Sequence, residues 1–212
     1  MTTHPFLLPV RGPRITKRMT HLLVGLVLFG VGIGLMLQSG LGVPPWDVLH
    51  QGLANHFGLT VGIWSIIISA VVLVGWLPLR EPYGIGTLLN AVIIGVTLDL
   101  AVLLIPQPEA LLAQMLLLGS GILLIGFASG LYIGADLGPG PRDGLMTGIA
   151  RRGPSIRLTR TVIEVAVLAA GWLLGGTFGV GTVAFAVFIG PIVQFFLPRL
   201  HVDTAVETSK AR

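Results

Sequence analysis

Six apolar runs, each close to twenty residues long, limit this chain to one class of fold. A run of about 20 residues is long enough for a helix to cross a hydrocarbon core about 30 Å thick. Hydrophobic residues make up 53% of the 212 residues and charged residues only 10%, whereas average proteins carry about 25% charged residues. We therefore predict an all-α, polytopic membrane protein with six transmembrane helices. The predicted spans are 20–38, 61–79, 84–105, 111–133, 159–177 and 179–198.

The basic residues all fall on one side of this six-span arrangement. Of the 13 lysines and arginines, four lie in an N-terminal arm (1–19), Arg80 follows the second span, five separate spans four and five, and three lie in a tail (199–212). Basic residues near span ends favour the cytoplasmic side of a membrane, so we predict that both termini are cytoplasmic. This placement explains the net charge of +4 without a nucleic-acid partner.

A phrase broken by prolines occurs twice, 96 residues apart. We call residues 40–54 (GLGVPPWDVLHQGLA) the first proline segment and residues 136–150 (DLGPGPRDGLMTGIA) the second proline segment. Matching glycines in the neighbouring spans extend the duplication to a first three-helix repeat, 20–105, and a second, 111–198. Units of three spans must lie in opposite orientations, as in the inverted repeats of transporters. The first proline segment is then expected near the outer side and the second near the cytoplasmic side.

Both proline segments contain residues suited to a binding site. Their prolines cannot continue a regular helix, and an aspartate follows in the first turn of the next helical stretch. One interpretation is a corner facing water, in which Asp47 and Asp143 cap free amides. The other is that both stretches re-enter the bundle and line a substrate or gating site, because irregular backbone at membrane depth normally lines a cavity. The candidate substrate or gating residues are Pro44, Pro45, Asp47, His50, Pro139, Pro141, Arg142 and Asp143.

The two proline segments differ at two informative positions. Trp46 and His50 of the first become Arg142 and Met146 in the second. We expect Trp46 to lie in an interfacial aromatic belt and Arg142 to form a charge pair with the adjacent Asp143. His50 could titrate near neutral pH, so it is either an interfacial histidine or a proton relay.

Polar residues within the predicted spans are further candidates, since ionisable groups in membrane helices usually have a function. These intramembrane candidates are Asn90, Asp99, Glu164 and Gln194. Glu164 follows Arg160 by four residues, so it is either half of an ion pair at the cytoplasmic edge or a coupling carboxylate. Asn90 and Asp99 correspond to Phe185 and Gln194 in the second repeat. These differences either create a substrate preference or bridge helices.

Enzymatic chemistry has little support in the sequence. The residues show neither a Ser-His-Asp order nor paired catalytic carboxylates, and the five histidines lack the spacing of metal ligands. The chain contains no cysteine, which excludes disulfides and thiolate chemistry. We therefore expect a protein that is not an enzyme and that holds no metal or cofactor.

The proline segments, the Arg160–Glu164 pair and the run GGTFGVGT at 175–182 together resemble the YczE/YyaS/YitT-type family of bacterial integral membrane proteins, most of all its YczE branch. The resemblance covers residues 20–198. It implies a compact, multi-pass protein of the bacterial cytoplasmic membrane with no assigned enzymatic activity. Some members of the family resemble accessory factors for the production of secondary metabolites.

Two functions remain open at this point. The first is a small permease, in which an unidentified small solute or ion passes between inverted halves within the lipid bilayer. Six spans are few for a carrier, so a homodimer would be a natural complement. The second is a membrane scaffold or accessory factor for a cytoplasmic biosynthetic complex, docked on the arginine-rich face between Arg142 and Arg160.

Overall fold

The computed structural model describes residues 13–202, which form an all-helical bundle. The predicted all-α class is therefore confirmed for these residues. Of the predicted arm (1–19) and tail (199–212), the parts before residue 13 and after residue 202 lie outside the described residues. The helices in the described range are α1 (Ile15–Ser39), α2 (Pro45–Phe57), α3 (Val61–Leu79), α4 (Ile85–Leu104), α5 (Leu111–Gly134), α6 (Pro141–Ala150), α7 (Ile156–Leu173) and α8 (Val180–Leu200).

Five of these helices, α1, α3, α4, α5 and α8, are long and apolar enough to cross a membrane. The predicted fifth span corresponds to α7, which begins three residues before the expected start at 159. Its first half carries Arg157, Arg160 and Glu164, so it is more polar than the other long helices. With 18 residues, α7 is about 27 Å long at about 1.5 Å per residue, which is close to the thickness of a hydrocarbon core.

The centre of the bundle is the pair α1 and α5, which correspond to each other in the two repeats. Glycines bring the two backbones together, as is typical of membrane helices. A Cβ atom added to Gly25 would lie 2.8 Å from the Tyr132 amide nitrogen, and one added to Gly121 would lie 2.8 Å from the Gly32 carbonyl oxygen. Large aliphatic side chains of α1, such as Leu26 and Ile33, are fully buried in the core beside this pair.

Equivalent segments of the two repeats make equivalent contacts. α1 packs against α4 as α5 packs against α8. The first proline segment meets the start of α8, where Gly181 N donates to Leu41 O at 2.7 Å, and the second meets the start of α4, where Gly86 N donates to Leu137 O at 2.8 Å. Each proline segment is therefore held by the last helix of the other repeat.

The equivalence fails in one place, the contact between the last two helices of each repeat. α3 and α4 pack together, and a Cβ atom added to Gly62 would lie only 2.1 Å from the Gly95 carbonyl oxygen. α7 and α8 do not pack along their lengths. The residues at the corresponding positions are Leu158 and Gly190, and a leucine cannot permit so close an approach.

The segments that connect the helices contact one another through side chains at the two ends of the bundle. At one end, which we call the basic end, Arg18 Nε donates to Ala135 O at 2.8 Å and Arg151 pairs with Glu81 at 3.0 Å. At the opposite end, Asn55 Nδ2 donates to Gly175 O at 2.8 Å. Segments that the six-span topology assigns to one side of the membrane thus contact one another.

Candidate functional site

Both proline segments reach a cavity of about 310 Å³ in the middle of the bundle, which we call the central cavity. Its walls also include parts of α1, α3, α4, α5, α7 and α8. Its polar and charged lining residues are Asp47, Ser65, Ser69, Asn90, Ser129, Tyr132, Arg142, Asp143, Arg160, Glu164 and Gln194. The structure therefore brings together side chains that lie far apart in the sequence.

Asp47 is held at the start of α2 by groups from both proline segments. Pro44 ends the extended connection and Pro45 begins the helix, which makes Asp47 its third residue. The carboxylate is fully buried; its Oδ1 lies 3.0 Å from His50 Nδ1 and 3.6 Å from an Arg142 guanidinium nitrogen. It does not cap the helix, so the capping interpretation is wrong for this residue.

Two polar atoms in the cavity wall lack partners. Asp47 Oδ2 and Trp46 Nε1 are buried without a hydrogen bond to any residue in 13–202, and both side chains line the central cavity. A buried polar atom left unpaired costs about 1–3 kcal/mol. One is an acceptor and the other a donor, so an occupant of the cavity with both kinds of group would satisfy them.

Two expectations for the proline segments were wrong in detail. Arg142 does not pair with the adjacent Asp143; it reaches across to Asp47 and lies over the Trp46 ring, 5.2 Å from its centroid. Trp46 is buried against the central cavity rather than exposed in an aromatic belt. His50, for which the sequence left both an interfacial position and a proton relay open, is also buried. The arginine therefore joins the two proline segments to each other.

Asp143 occupies the same position in α6 as Asp47 in α2, but its surroundings differ. The carboxylate is half-buried and accepts a hydrogen bond from the Tyr132 hydroxyl at 3.1 Å. Within residues 13–202 it has no basic side chain at salt-bridge distance. Asp143 thus presents a carboxylate to the central cavity without a cationic partner.

Pro139 and Pro141 lie at the start of α6 and in the connection just before it. Pro141 is the first residue of α6 and lines the cavity. Pro139 lies behind the wall, where its carbonyl oxygen accepts from the Thr87 hydroxyl at 2.7 Å. The two prolines therefore shape the second proline segment, and only Pro141 contacts the cavity.

The intramembrane candidates separate into two groups. Asn90, Glu164 and Gln194 line the central cavity. Asp99 does not; it accepts hydrogen bonds from Gly62 N at 2.8 Å and from the Thr60 hydroxyl, and so ties α4 to the start of α3. For Asp99, the structure supports helix bridging.

Arg160 and Glu164 form the predicted ion pair, with Nε and Oε1 2.9 Å apart. The pair lies further along its helix than expected from the sequence. α7 begins at Ile156, so Glu164 is eight residues in, or about 12 Å along the axis. Both side chains face the central cavity rather than only the edge of the bundle.

Several lining residues were missed in the sequence. Ser65 and Ser69 are four residues apart and share one face of α3, and Ser129 and Tyr132 lie near the end of α5. The available signal was a polar residue inside an apolar run. Serine can also bond to its own helix backbone, as Ser129 does to Ile125 O at 2.7 Å, so the signal alone does not indicate a cavity.

A second cavity, also of about 310 Å³, lies toward the opposite end of the bundle and we call it the polar pocket. Gln38, Gln51 and Thr177 are among its lining residues. Val43 lines the polar pocket and the next residue, Pro44, lines the central cavity. The first proline segment therefore contacts both cavities.

Comparison with known proteins places the chain among bacterial membrane proteins. It is 45% identical over 182 residues to an uncharacterized protein of Haemophilus influenzae, and the alignment covers 85% of this chain and 84% of that protein. It is 40% identical over 189 residues to the uncharacterized membrane protein YczE of Bacillus subtilis, covering 87% of each chain. The uncharacterized protein YyaS of Bacillus subtilis is 30% identical over 183 residues, covering 82% of this chain and 90% of that one.

The resemblance predicted from the proline segments is confirmed by these relatives. No solved structure matches the chain. Residues 16–198, nearly all of the described range, match the family of unknown function DUF6198. The chain therefore belongs to the DUF6198 family of proteins.

Proposed function

We propose that the protein is a small permease that binds a solute or ion in the central cavity and passes it between two inverted repeats. The observation that carries the proposal is the meeting of the two proline segments, 96 residues apart in the chain, at one cavity with unpaired polar atoms in its wall. Pockets with a few convergent polar groups are the usual form of small-molecule sites.

The arrangement of the repeats supports the proposal. α1, α2, α3 and α4 correspond in sequence to α5, α6, α7 and α8, and each proline segment is held by the last helix of the other repeat. If α7 crosses the membrane as a sixth span, the two repeats have opposite orientations. The helices α2 and α6 then enter from opposite sides and point their N-termini at the cavity, as broken helices do in carriers.

The first proline segment, which lines both cavities, suggests where the gate for the solute lies. We place the gate at Val43, which lines the polar pocket, Pro44, which lines the central cavity, and the Asp47–Arg142 contact. The central cavity has exposed lining residues, Arg160 and Gln194, toward the basic end. In this proposal the described conformation is open on the basic side and closed on the other, and alternating access requires the first proline segment to move.

The accessory-factor alternative depends on a free arginine surface. Arg151 pairs with Glu81, and an Arg152 guanidinium nitrogen donates to Pro78 O at 3.0 Å. These side chains are already engaged within the chain, so they offer less to a docking partner. No described contact favours this alternative over the permease.

Transport by the purified protein in vesicles tests the proposal. We expect protein-dependent currents, or proton movement reported by an enclosed dye, for one member of a panel of amines, amino acids, carboxylates and inorganic ions. Asp143→Asn should remove the signal at normal abundance, because that carboxylate faces the cavity. Glu109→Gln, which neutralises an exposed loop carboxylate, is the matched control and should leave the signal unchanged.

A panel without any protein-dependent signal, under every imposed gradient, would contradict the permease. If Arg151→Gln with Arg152→Gln abolished the cellular role while Asp47→Asn and Asp143→Asn did not, a docking function would replace it.

A further inference from the structure

The central cavity opens sideways, between α7 and α8. Gly190 is at the middle of α8, lines the cavity and is exposed, and a Cβ atom added to it would contact nothing within 4 Å. One turn further toward the basic end, Gln194 also lines the cavity and is exposed. A gap therefore runs from the middle of α8 toward its basic end.

The gap has a cause in the sequence. In the first repeat, Gly62 and Gly95 let α3 and α4 touch, and the corresponding side of the cavity is closed. In the second repeat, Leu158 takes the place of Gly62. Leu158 is more than half exposed, and the partner glycine, Gly190, is left without a neighbour. The side opening is thus a specific difference between otherwise matching halves.

The outer surfaces of α7 and α8 are apolar. Val162 and Val165 on α7 and Val187 and Phe188 on α8 each expose more than half of their surface. α8 is long and apolar enough to cross a membrane, and if it does so, lipid acyl chains surround its exposed apolar side chains. A molecule that reaches the cavity through the gap must therefore pass apolar side chains from within the bilayer.

The inner end of the gap is charged, with an excess of carboxylate. Three carboxylates, of Asp47, Asp143 and Glu164, line the cavity together with two guanidinium groups, of Arg142 and Arg160. Arg142 contacts Asp47, and Arg160 pairs with Glu164. Asp143 is left with only the neutral Tyr132 hydroxyl among the described residues, so the uncompensated charge is negative and lies at Asp143.

We propose that the central cavity is filled from the bilayer, through the gap between α7 and α8, by an amphiphile whose protonated amino group binds the Asp143 carboxylate. The apolar chain of the ligand occupies the gap and its amino group lies in the cavity, near the unpaired Asp47 Oδ2. This inference deepens the proposed permease and rests on the same cavity. It can fail by itself, since a solute that arrives from water would still be transported.

Tryptophan quenching by lipid tests the route. The chain has four tryptophans, and variants retaining one each, with phenylalanine at the other three positions, are placed in vesicles of phosphatidylcholine brominated in its acyl chains. Trp172 is exposed on α7 and should be strongly quenched, whereas Trp76 is fully buried and should not be. Trp46 is buried but lines the cavity, and we expect its quenching to approach that of Trp172.

A bulky side chain in the gap should prevent the quenching of Trp46. Gly190→Phe places a ring in the opening and is expected to restore most of the Trp46 fluorescence. Gly119→Phe is the matched control, because Gly119 is also exposed and also has no neighbour within 4 Å, but it lies on α5 away from the cavity. Quenching of Trp46 no greater than that of Trp76 would overturn the proposed route.

A labelling experiment tests the same opening without replacing Trp76, whose indole nitrogen donates to Pro141 O. Ser129→Cys introduces the only thiol into a chain without cysteine, at a buried position that lines the cavity. A maleimide dissolved in the membrane should label it, and Gly190→Phe should slow that labelling. Absence of labelling would show that the gap is closed. Protection from labelling that disappears when a dimer is diluted to monomers would show that a second copy covers the gap. Either result would overturn the proposal.

The headgroup is tested with dodecylamine and dodecanoate as probes, read by the fluorescence of Trp46. We expect saturable binding of dodecylamine that is weakened about tenfold by Asp143→Asn, as for loss of one charge-assisted hydrogen bond. Glu109→Gln should have no effect. Equal binding of the two probes, or tighter binding of dodecanoate, would contradict the assignment of an amino group.

Discussion

Asp47 of the first proline segment is fully buried between His50 and Arg142, whereas Asp143 of the second is half-buried and hydrogen-bonded to Tyr132. The backbones around them are nearly the same: both aspartates are the third residue of a helix that begins with proline. The duplication thus preserves the scaffold and lets the side chains differ. One carboxylate contacts side chains of both segments, and the other has only the Tyr132 hydroxyl as a side-chain partner among the described residues.

The largest expected difference between the two segments is in stability. Asp47→Ala should lower the free energy of unfolding by about 3 kcal/mol, because it leaves the buried His50 and the Arg142 guanidinium without their partner. Asp143→Ala should lower it by only about 1 kcal/mol, the value of one ordinary hydrogen bond. Denaturant titration of the protein in micelles measures both changes.

Removing Arg142 as well provides the control for this difference. In the double variant Asp47→Ala, Arg142→Ala, part of the loss should be recovered, with a coupling of about 0.5–3 kcal/mol between contacting residues. Equal costs for the two aspartates, or strict additivity of Asp47 and Arg142, would show that the first segment is not fixed by this charge contact.

An effect that is equal in the two segments is expected at the glycines that precede the prolines. Gly42 and Gly138 have φ of +118° and +119°, and an added Cβ atom would lie 2.8 Å from the Thr182 hydroxyl oxygen and 2.7 Å from the Gly84 Cα atom, respectively. Alanine at either position combines backbone strain with a close contact, and the strain alone costs about 1–3 kcal/mol.

Gly58→Ala is the control for these two variants, since Gly58 has a φ of +78° and no neighbour within 4 Å. It carries the strain without the contact, so it should destabilise the protein less than Gly42→Ala or Gly138→Ala in the same titration. Clearly unequal losses at Gly42 and Gly138 would mean that the two segments are not held in the same way.

The fold was largely predictable because the length of each apolar run can be read directly from the sequence. The second predicted span, 61–79, coincides with α3, and the other five correspond to helices whose ends lie within a few residues. The polar start of α7 is the exception. Arg160 and Glu164 face the central cavity, and hydropathy alone cannot distinguish a helix end in water from a polar patch inside the bundle.

The site was predictable as a set of residues but not as a set of contacts. The proline segments identified Asp47, Arg142 and Asp143, all of which line the central cavity. The pairing of Arg142 with Asp47 rather than with its neighbour Asp143 depends on how the two segments meet. That is a long-range property of the packing, and no local pattern encodes it. The same holds for Tyr132, which becomes relevant only because α5 leads into the second proline segment.

Labelling of single cysteines from the two sides of an intact cell tests most directly whether the proline segments enter from opposite faces. The chain has no cysteine of its own, so Phe57→Cys, at the exposed end of α2, and Pro154→Cys, in the exposed connection after α6, each give one thiol. With a reagent that does not cross membranes, we predict labelling of the thiol at position 57 in intact cells and of that at position 154 only after permeabilisation. Labelling of both from the same side would contradict the inverted arrangement.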